Sequence, residues 1–477
     1  MDGSAESVDC PLVVDLDGSL TRSDLFLESF LSLLANKPLR GLAALWALRH
    51  GRAAMKARVA AEAPLDADGL AFNEEFIEYL RAEKAKGRSL YLASAADAAY
   101  VRTVAERLGL FDGVFASDGQ RNLKGAAKAS LLRNLFGHGG FGYAGNEAAD
   151  FAVWREAGEV VVVNASPHLL GLVRRSFPAV TVIAPRRVRL GDYLEALRPH
   201  QWLKNLLVLV PAFTAHRFDV AALVACLLAI CSFSLCASSV YLLNDLLDLR
   251  HDRNHPTKRH RVLASGRIDI RHGIALFPLP LCLAGLLGLL LPPAFLLTLC
   301  AYYALTLAYS LYLKRQTTLD VVVLACLYGM RLVAGAAAVT VPLSPWLLTF
   351  ALFLFLSLAL VKRWADLAAR LDEGSADLAG RGYRVSDLPI VQTMAAASGY
   401  IAVLVFCLYI DSPVVSALYR NAPFLWGIPV ILLYWISRIL IATHRGAMDD
   451  DPVLFAVSDR ASQVCAALVL LAVAVSI

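Results

Sequence analysis

Charge is scarce in this chain and cysteine scarcer: 18% of its 477 residues are charged against 58% apolar, and nine are Cys. A mean hydropathy of +0.57 is too high for a soluble protein of this size. The net charge of +5 is too modest to imply a nucleic-acid partner. No CxxC pair occurs, and apart from Cys10 the cysteines lie in apolar runs. Neither a disulfide framework nor a zinc site is therefore expected. Met1–Cys10 is short, polar and acidic, and Pro11–Asp17 is too short to cross a bilayer. No signal peptide is expected, so the first domain should stay on the cytosolic side.

What the chain has in quantity is apolar sequence, placed unevenly. Up to residue 188 it reads as a soluble domain; over 189–477 apolar runs of membrane-crossing length recur. Between two of these runs lies Tyr241–Gly266, YLLNDLLDLRHDRNHPTKRHRVLASG. At the helical period, Asp245, Asp248 and Asp252 fall within roughly 60° of one another. Asn244 sits at the edge of that face. Carboxylates so placed repel unless a cation bridges them, and oxygen-only ligands suit Mg²⁺, which takes its remaining ligands from substrate phosphates. His255, Lys258, Arg259 and Arg261 follow at once. Acids for a metal beside cations for phosphate oxygens suit a departing diphosphate. The bland alternative is a loop that is charged because it is wet.

The NDxxDxxxD pattern in NDLLDLRHDRNHPTKRHRVLASG resembles the first aspartate-rich motif of the UbiA prenyltransferase superfamily. It is most similar to the branch containing decaprenyl-phosphate phosphoribosyltransferase. Arg198–Asn205 (RPHQWLKN), Tyr309–Lys314 (YSLYLK), Lys362-Arg363, Arg381-Gly382-Tyr383, Asp451-Pro452 and Asp459-Arg460 agree with that branch. The resemblance implies a nine-helix bundle with a cytosolic cavity. Asp245 and Asp248 would be catalytic and, with Asp252, bind metal. Lys204, Asn244, His255, Lys258, Arg261, Tyr309, Lys314, Asp320, Arg331, Lys362, Arg363, Arg381, Asp459 and Arg460 would bind substrate.

Six short apolar strands, Pro11–Asp17, Ser89–Ala95, Gly113–Ser117, Phe141–Gly145, Glu159–Asn164 and Val180–Ala184, alternate with helical stretches, predicting a parallel α/β sheet. Asp15, Asp17, Ser94 and Asp150 fall at strand carboxyl ends, where such sheets carry their sites. DLDGSL at Asp15–Leu20 resembles the DxDGT/S motif of haloacid dehalogenase-like (HAD) phosphatases, a Rossmann-like fold. That resemblance makes Asp15 the nucleophile, Asp17 the general acid and base, and Ser94 and Lys124 the phosphoryl holders. The magnesium set would be Asp15, the Asp17 backbone, Asn146 and, indirectly, Asp150. Asn146 departs from the usual Asp and brings no charge. A small helical cap is expected over about 19–88. Within it, Lys37–Ala60 is basic and carries Leu39, Leu42, Leu45, Trp46 and Leu48. Such a helix either lies on an anionic membrane surface or packs its apolar side on the domain.

Nine spans are expected: 194–214, 220–243, 272–291, 293–313, 319–340, 345–361, 391–410, 423–443 and 461–477. With a cytosolic N-terminus, nearly all loop Lys and Arg fall in connections 244–271, 314–318, 362–390 and 444–460, obeying the positive-inside rule in a bacterial-type inner membrane. The C-terminus then lies on the opposite side. The loop after the sixth span is expected to bind phosphate through Lys362, Arg363, Arg370, Arg381 and Arg384, where typical relatives carry acids. This favours phosphoribosyl diphosphate as donor and a polyprenyl phosphate as acceptor, with the fused domain removing the 5-phosphate. The alternatives are an aromatic prenyltransferase using a prenyl diphosphate, with a regulatory N-terminal domain, and a non-catalytic lipid-binding protein. Oligomeric state is left open.

Overall fold

The computed structural model describes residues 10–63, 69–117, 122–184, 188–255, 257–372, 382–448 and 452–477. The chain divides into two compact units. One comprises the chain up to Leu197 together with Tyr241–Pro278; the other comprises Arg198–Val240 and Leu279–Ile477.

In the first unit all six expected strands form: β1 (Leu12–Val14), β2 (Leu90–Asp97), β3 (Gly113–Ser117), β4 (Gly142–Gly145), β5 (Glu159–Val163) and β6 (Thr181–Ile183). They pair in parallel in the order β3-β2-β1-β4-β5-β6, the Rossmann-like arrangement expected. Successive side chains of a strand point to opposite faces. Leu12 and Val14 accordingly enter one core with Phe76, Leu92 and Val161, while Val13 enters another with Tyr143, Trp154 and Val162. Burial on both faces explains the unbroken apolar runs of these strands. Between β1 and β2 lie the cap helices α1 (Leu25–Asn36), α2 (Pro38–Trp46) and α3 (Arg52–Glu62), followed by the helix Glu74–Ala85.

Among the described residues, seven helices are long and apolar enough to cross a membrane: Val220–Leu247, Ile270–Gly288, Pro293–Leu311, Leu319–Ala338, Pro345–Leu371, Val385–Ile410 and Ala422–His444. Two of the nine expected spans differ. The first is no continuous α-helix, because Pro199 disfavours a helical residue before it and Arg198 takes a left-handed conformation at φ +53°. A long 3₁₀ stretch, Pro199–Leu209, follows and leads into a short α-helix, Val210–Thr214. The last is Arg460–Ser476, shorter than the others at 17 residues. The second unit is packed around Phe233, Phe295 and Tyr302 at one place and Phe355, Trp364 and Tyr383 at another.

Candidate functional sites

The carboxyl ends of β1, β2 and β4 gather one group of polar side chains. Asp15 is buried at the end of β1, and the Lys128 ammonium donates to its Oδ1 at 2.6 Å. Lys128 also donates to the Tyr143 hydroxyl at 2.9 Å, which in turn donates to Asp150 Oδ1 at 2.9 Å. The other Asp150 oxygen accepts from the Asn146 and Glu147 amides, both at 2.9 Å. Ser94 is fully buried within β2, where the register shifts between Ala93 and Asp97, and its hydroxyl accepts from the Ala96 amide. Asp17 Oδ1 accepts from the Leu25 amide at 2.9 Å, tying the turn after β1 to the start of α1. That turn requires Gly18: its φ is +80°, and a Cβ there would lie 2.0 Å from the Asn146 amide nitrogen.

Lys124 is not where the motif resemblance puts it. Its ammonium is half exposed and pairs with Glu147 at 3.2 Å. Lys128, one turn further into the helix Ala126–Phe136, is the buried lysine against Asp15. Both lysines satisfy the same loose spacing in sequence, and the signal that separates them, burial against Asp15, exists only in three dimensions.

The two motif aspartates are driven apart electrostatically. Burial pushes Asp15 up to about 6, with Lys128 working against the rise. Asp17 keeps a partly open face, yet its desolvation, reinforced by Asp24, pushes it up to about 8. Both carboxyls are thus raised by burial, Asp17 further than Asp15, which Lys128 holds back. Lys128 is raised: burial lowers it, and the nearby Asp15 and Asp150 charges outweigh that.

The donor set around Asp15 fits a hard divalent cation. Asn146 Oδ1 is buried without a protein hydrogen-bond partner, and the carboxylate of Asp15 and the backbone of Asp17 are the other oxygens available.

The acid-rich segment belongs to the same compact unit. Asn244 and Asp245 lie in the last turn of Val220–Leu247; Asp248 precedes the short helix Leu249–Arg253, which carries Asp252. Leu242, Leu246 and Leu249 on the other face pack with Leu31, Ala196, Val262 and Ile270. The cation between the acids is Arg261, whose guanidinium lies 2.7 Å from Asp252 and 3.2 Å from Asp245. Asp252 is thereby committed to an ion pair, and Arg261 is an acid-bridging group before it is a phosphate ligand. Among the described residues no three acidic, His or Cys side chains converge as a metal cage. Mg²⁺ does not need one, since it is usually bound by one or two carboxylates plus substrate phosphates. Asn244 Oδ1, like Asn146 Oδ1, is buried without a protein hydrogen-bond partner. His255 is half-buried with Thr257 on its Nδ1, and Lys258 opens the 3₁₀ turn Lys258–His260.

Three arginines of this segment, none singled out from sequence, pair with acids earlier in the same unit, two of them in the α/β domain. Arg253 pairs bidentately with Glu28 of α1, both bonds 2.7 Å, and donates to the Ala264 carbonyl. Arg267 holds Asp192 and Glu195. Arg271 spans Asp24, the cap of α1, and Glu147, the residue after Asn146. From sequence these read only as cytosolic loop cations.

In the second unit, Asp320 and Arg363 are both fully buried and lie 2.9 Å apart. Tyr383 donates to the other Asp320 oxygen at 2.8 Å, and Asp366 pairs with Arg363 at 2.7 Å. Arg363 was expected as a phosphate ligand; full burial against two acids makes it a structural tie instead. Arg331 is buried among Phe233, Tyr302 and Tyr328, 5.2–5.6 Å from the ring centroids, and donates to Asn205 Oδ1 at 2.9 Å. Buried Lys204 lies over the same Tyr328 ring at 5.8 Å. Tyr309 near the end of Pro293–Leu311, Lys314 in the turn after it, and Lys362 in Pro345–Asp372 are half-buried. Asp459 is bound bidentately by Arg438 and caps the last helix through Ser462, so its carboxylate is occupied structurally; Arg460 is exposed. Arg381 lies outside the described residues.

Known proteins resemble this chain along most of its length. Uncharacterized protein y4nM of Sinorhizobium fredii is 35% identical over 463 residues, which span 96% of this chain and 89% of that protein. Decaprenyl-phosphate phosphoribosyltransferase of Mycobacterium tuberculosis is 37% identical over 193 residues, 39% of this chain and 63% of that protein. A solved UbiA homolog from Archaeoglobus fulgidus bound to DMAPP and Mg²⁺ is 19% identical and covers 60% of this chain and 97% of that one, with a TM-score of 0.44. Residues 206–458 match the UbiA prenyltransferase family, and the chain therefore belongs to that family.

Proposed function

We propose that this membrane protein transfers 5-phosphoribose from phosphoribosyl diphosphate to a polyprenyl phosphate and then removes the 5-phosphate with its own α/β domain. One observation carries the pairing of the two reactions. The acid-rich segment and the Asp15–Lys128–Tyr143–Asp150 group belong to one compact unit, fastened by Arg253 and Arg271. The donor is suggested by the 37% identity to the mycobacterial phosphoribosyltransferase and by the cationic second loop. That loop's charge count is reduced by Arg363, which Asp320 and Asp366 already neutralise.

In the transfer, the bond between ribose C1 and the diphosphate breaks and a lipid phosphate oxygen bonds to C1. Asn244, Asp245 and Asp248 would hold Mg²⁺, which supplies charge to the departing diphosphate. Lys258, in the same segment as these acids, would supply a cation for phosphate oxygens. In the hydrolysis, the Asp15 carboxylate attacks the 5-phosphoryl group, and Asp17 gives its proton to the departing ribose oxygen. Asp17, now ionised, takes a proton from the water that splits the aspartyl-phosphate and releases inorganic phosphate. Lys128 holds Asp15 in place as its charge is consumed. Asp15 with Asn146 would hold the second Mg²⁺.

The nine-span topology, with both sites cytosolic, belongs to the same proposal. The stretch 199–214, mostly 3₁₀ with about 2.0 Å rise per residue, reaches about 30 Å, and the final 17-residue helix about 26 Å. Both approach the bilayer hydrocarbon thickness of about 30 Å.

The test is incubation of the purified protein in nanodiscs with Mg²⁺, phosphoribosyl diphosphate and a polyprenyl phosphate, with both lipid products followed by mass. Wild type should yield the ribosyl lipid, and Asp15→Asn should accumulate the 5-phosphorylated lipid. Identical products at every Mg²⁺ concentration would remove the hydrolysis step. Turnover only with a prenyl diphosphate and 4-hydroxybenzoate would replace the transfer reading with the aromatic prenyltransferase.

A further inference from the structure

The cap of the α/β unit carries a group of large apolar side chains that the fold turns outward. Helix α2 packs through its small residues: Gly41 and Ala44, and Ala47 just beyond it, are the buried positions. A Cβ on Gly41 would come within 2.7 Å of the Leu34 side chain on α1, so the close approach uses the glycine. Leu39 is 81% exposed, Leu42 55% and Trp46 69%, and Leu45 and Leu48 are open as well. A helix that packs on its own domain does the reverse, with large apolar residues in and small or polar ones out. The alternative of a cap helix burying its leucines on the domain is therefore not what the fold adopts.

The surroundings of this face are basic. From Lys37 to Ala61 the chain holds six Lys and Arg and no Asp or Glu. Lys37, Arg40, Arg49 and His50 are exposed, and the Arg49 guanidinium lies 4.7 Å from the Trp46 ring centroid. Arg40 also reaches Glu62 at the end of α3.

We infer that α2 and the turn after it dock on an anionic lipid bilayer, leucines and Trp46 entering the headgroup layer and the basic rim meeting lipid phosphates. The chemistry selects this occupant. An outward apolar face with Trp, flanked by Lys and Arg, is the pattern of helices that lie in the membrane plane. Among the described residues the same chain carries seven helices long and apolar enough to cross a membrane. A second copy would bring the same basic rim against itself, since a two-fold interface pairs a patch with its duplicate. The inference does not depend on the phosphatase reading.

The test uses the full-length protein in nanodiscs that contain a phospholipid with a diazirine on its acyl chain, with adducts mapped by peptide mass. In phosphatidylglycerol-rich discs the peptide 38–50 should carry at least about five times more adduct than in phosphatidylcholine discs. The Leu39→Ser/Leu42→Ser/Trp46→Ser variant should lose that excess. These side chains face outward, so folding should survive, and an unchanged melting curve checks it; the contrast between disc compositions decides the matter in wild type alone. The polar helix Glu74–Ala85 of the same unit is the reference. Labelling of 38–50 no higher than this reference in either disc would overturn the inference. So would photo-crosslinks from 38–50 that lead only to a second protein copy.

Discussion

Asp320→Ala should destabilise the membrane bundle by about 3–5 kcal/mol, the cost of leaving one charge of a buried pair without its partner. The geometry puts it at the upper end. Arg363 and Asp320 both have no exposed surface, so water cannot replace the lost carboxylate. Tyr383 also loses the acceptor of its 2.8 Å hydrogen bond, a further 0.5–1.5 kcal/mol or so. Asp366 stays 2.7 Å from Arg363 but is partly exposed, so it compensates only in part. Asp320→Asn keeps an acceptor for Tyr383 and should cost less than Ala. The decisive variant is the double one, Asp320→Ala/Arg363→Met. Replacing a buried ion pair by apolar groups is often near neutral, so stability should return to within about 1–2 kcal/mol of wild type. Unfolding in mixed micelles with rising SDS gives the three free energies and the coupling between the two positions. If Asp320→Ala alone costs less than about 1 kcal/mol, or the double variant is as unstable as the sum of the singles, the reasoning from burial is wrong. The stable double variant then shows whether the pair also serves turnover, because phosphoribosyl transfer can be assayed in it without a folding defect.

Asp248→Ala should lower pyrophosphate release from phosphoribosyl diphosphate by at least about 100-fold, the typical scale for removing a group that stabilises transition-state charge, while expression and extraction stay near wild type. Lys128→Ala should abolish phosphatase turnover to a similar degree, whereas Lys124→Ala, which removes an exposed ion pair with Glu147, should change it less than a few-fold; comparable losses in the two would show that Lys128 only braces the fold. Arg253→Ala strands a nearly buried Glu28 and should loosen the acid-rich segment by about 3–5 kcal/mol, seen as faster hydrogen exchange over 242–253 with the strands β1 and β4 unaffected.

The sheet was legible because each strand is a short apolar run bounded by turn residues, and burial on both faces demands that pattern. The long spans were legible for the same reason on a larger scale: lipid tolerates few charges, so Val220–Leu247 or Pro345–Leu371 announces itself by composition. The 199–214 stretch was not, since hydropathy registers apolar content and not the backbone consequence of Pro199. Among site residues, sequence placed Asp15, Asp17, Ser94 and Asp150 at strand ends where the structure gathers polar groups. It singled out Lys124 and not Lys128, the lysine buried against Asp15, because the two sit one turn apart and look alike on paper. It took Arg363 and Asp459 as substrate ligands because pairing partners such as Asp320 and Arg438 are distant in sequence. It overlooked Arg253, Arg267 and Arg271 because an arginine in a basic loop carries no mark of the carboxylate it will meet.

Those overlooked arginines bear on how the two proposed activities would be coupled. A boundary at residue 188 separates the chain by composition, yet the compact unit that holds the phosphatase-like group also contains Tyr241–Pro278. Asp24 caps α1 through the Leu27 amide and accepts from Arg271; Asp17 accepts from the Leu25 amide in the same turn. Glu147, which shares the Asp150 capping arrangement with Asn146, is the other partner of Arg271. The proposed general acid and the proposed metal-binding amide are thus each one residue contact away from a side chain of the segment that carries Asp245 and Asp248. In the proposed transfer a diphosphate at the acid-rich segment would draw on its cations, and Arg271 pairs with Asp24 and Glu147, which adjoin the phosphatase-like group. A soluble fragment ending at residue 188 would lack Arg253, Arg267 and Arg271, leaving Glu28 and Asp24 without those cations and Glu147 with Lys124 alone. Its phosphatase turnover should therefore fall well below that of the same domain in the whole chain, a difference that two independently folded enzymes joined by a linker would not show.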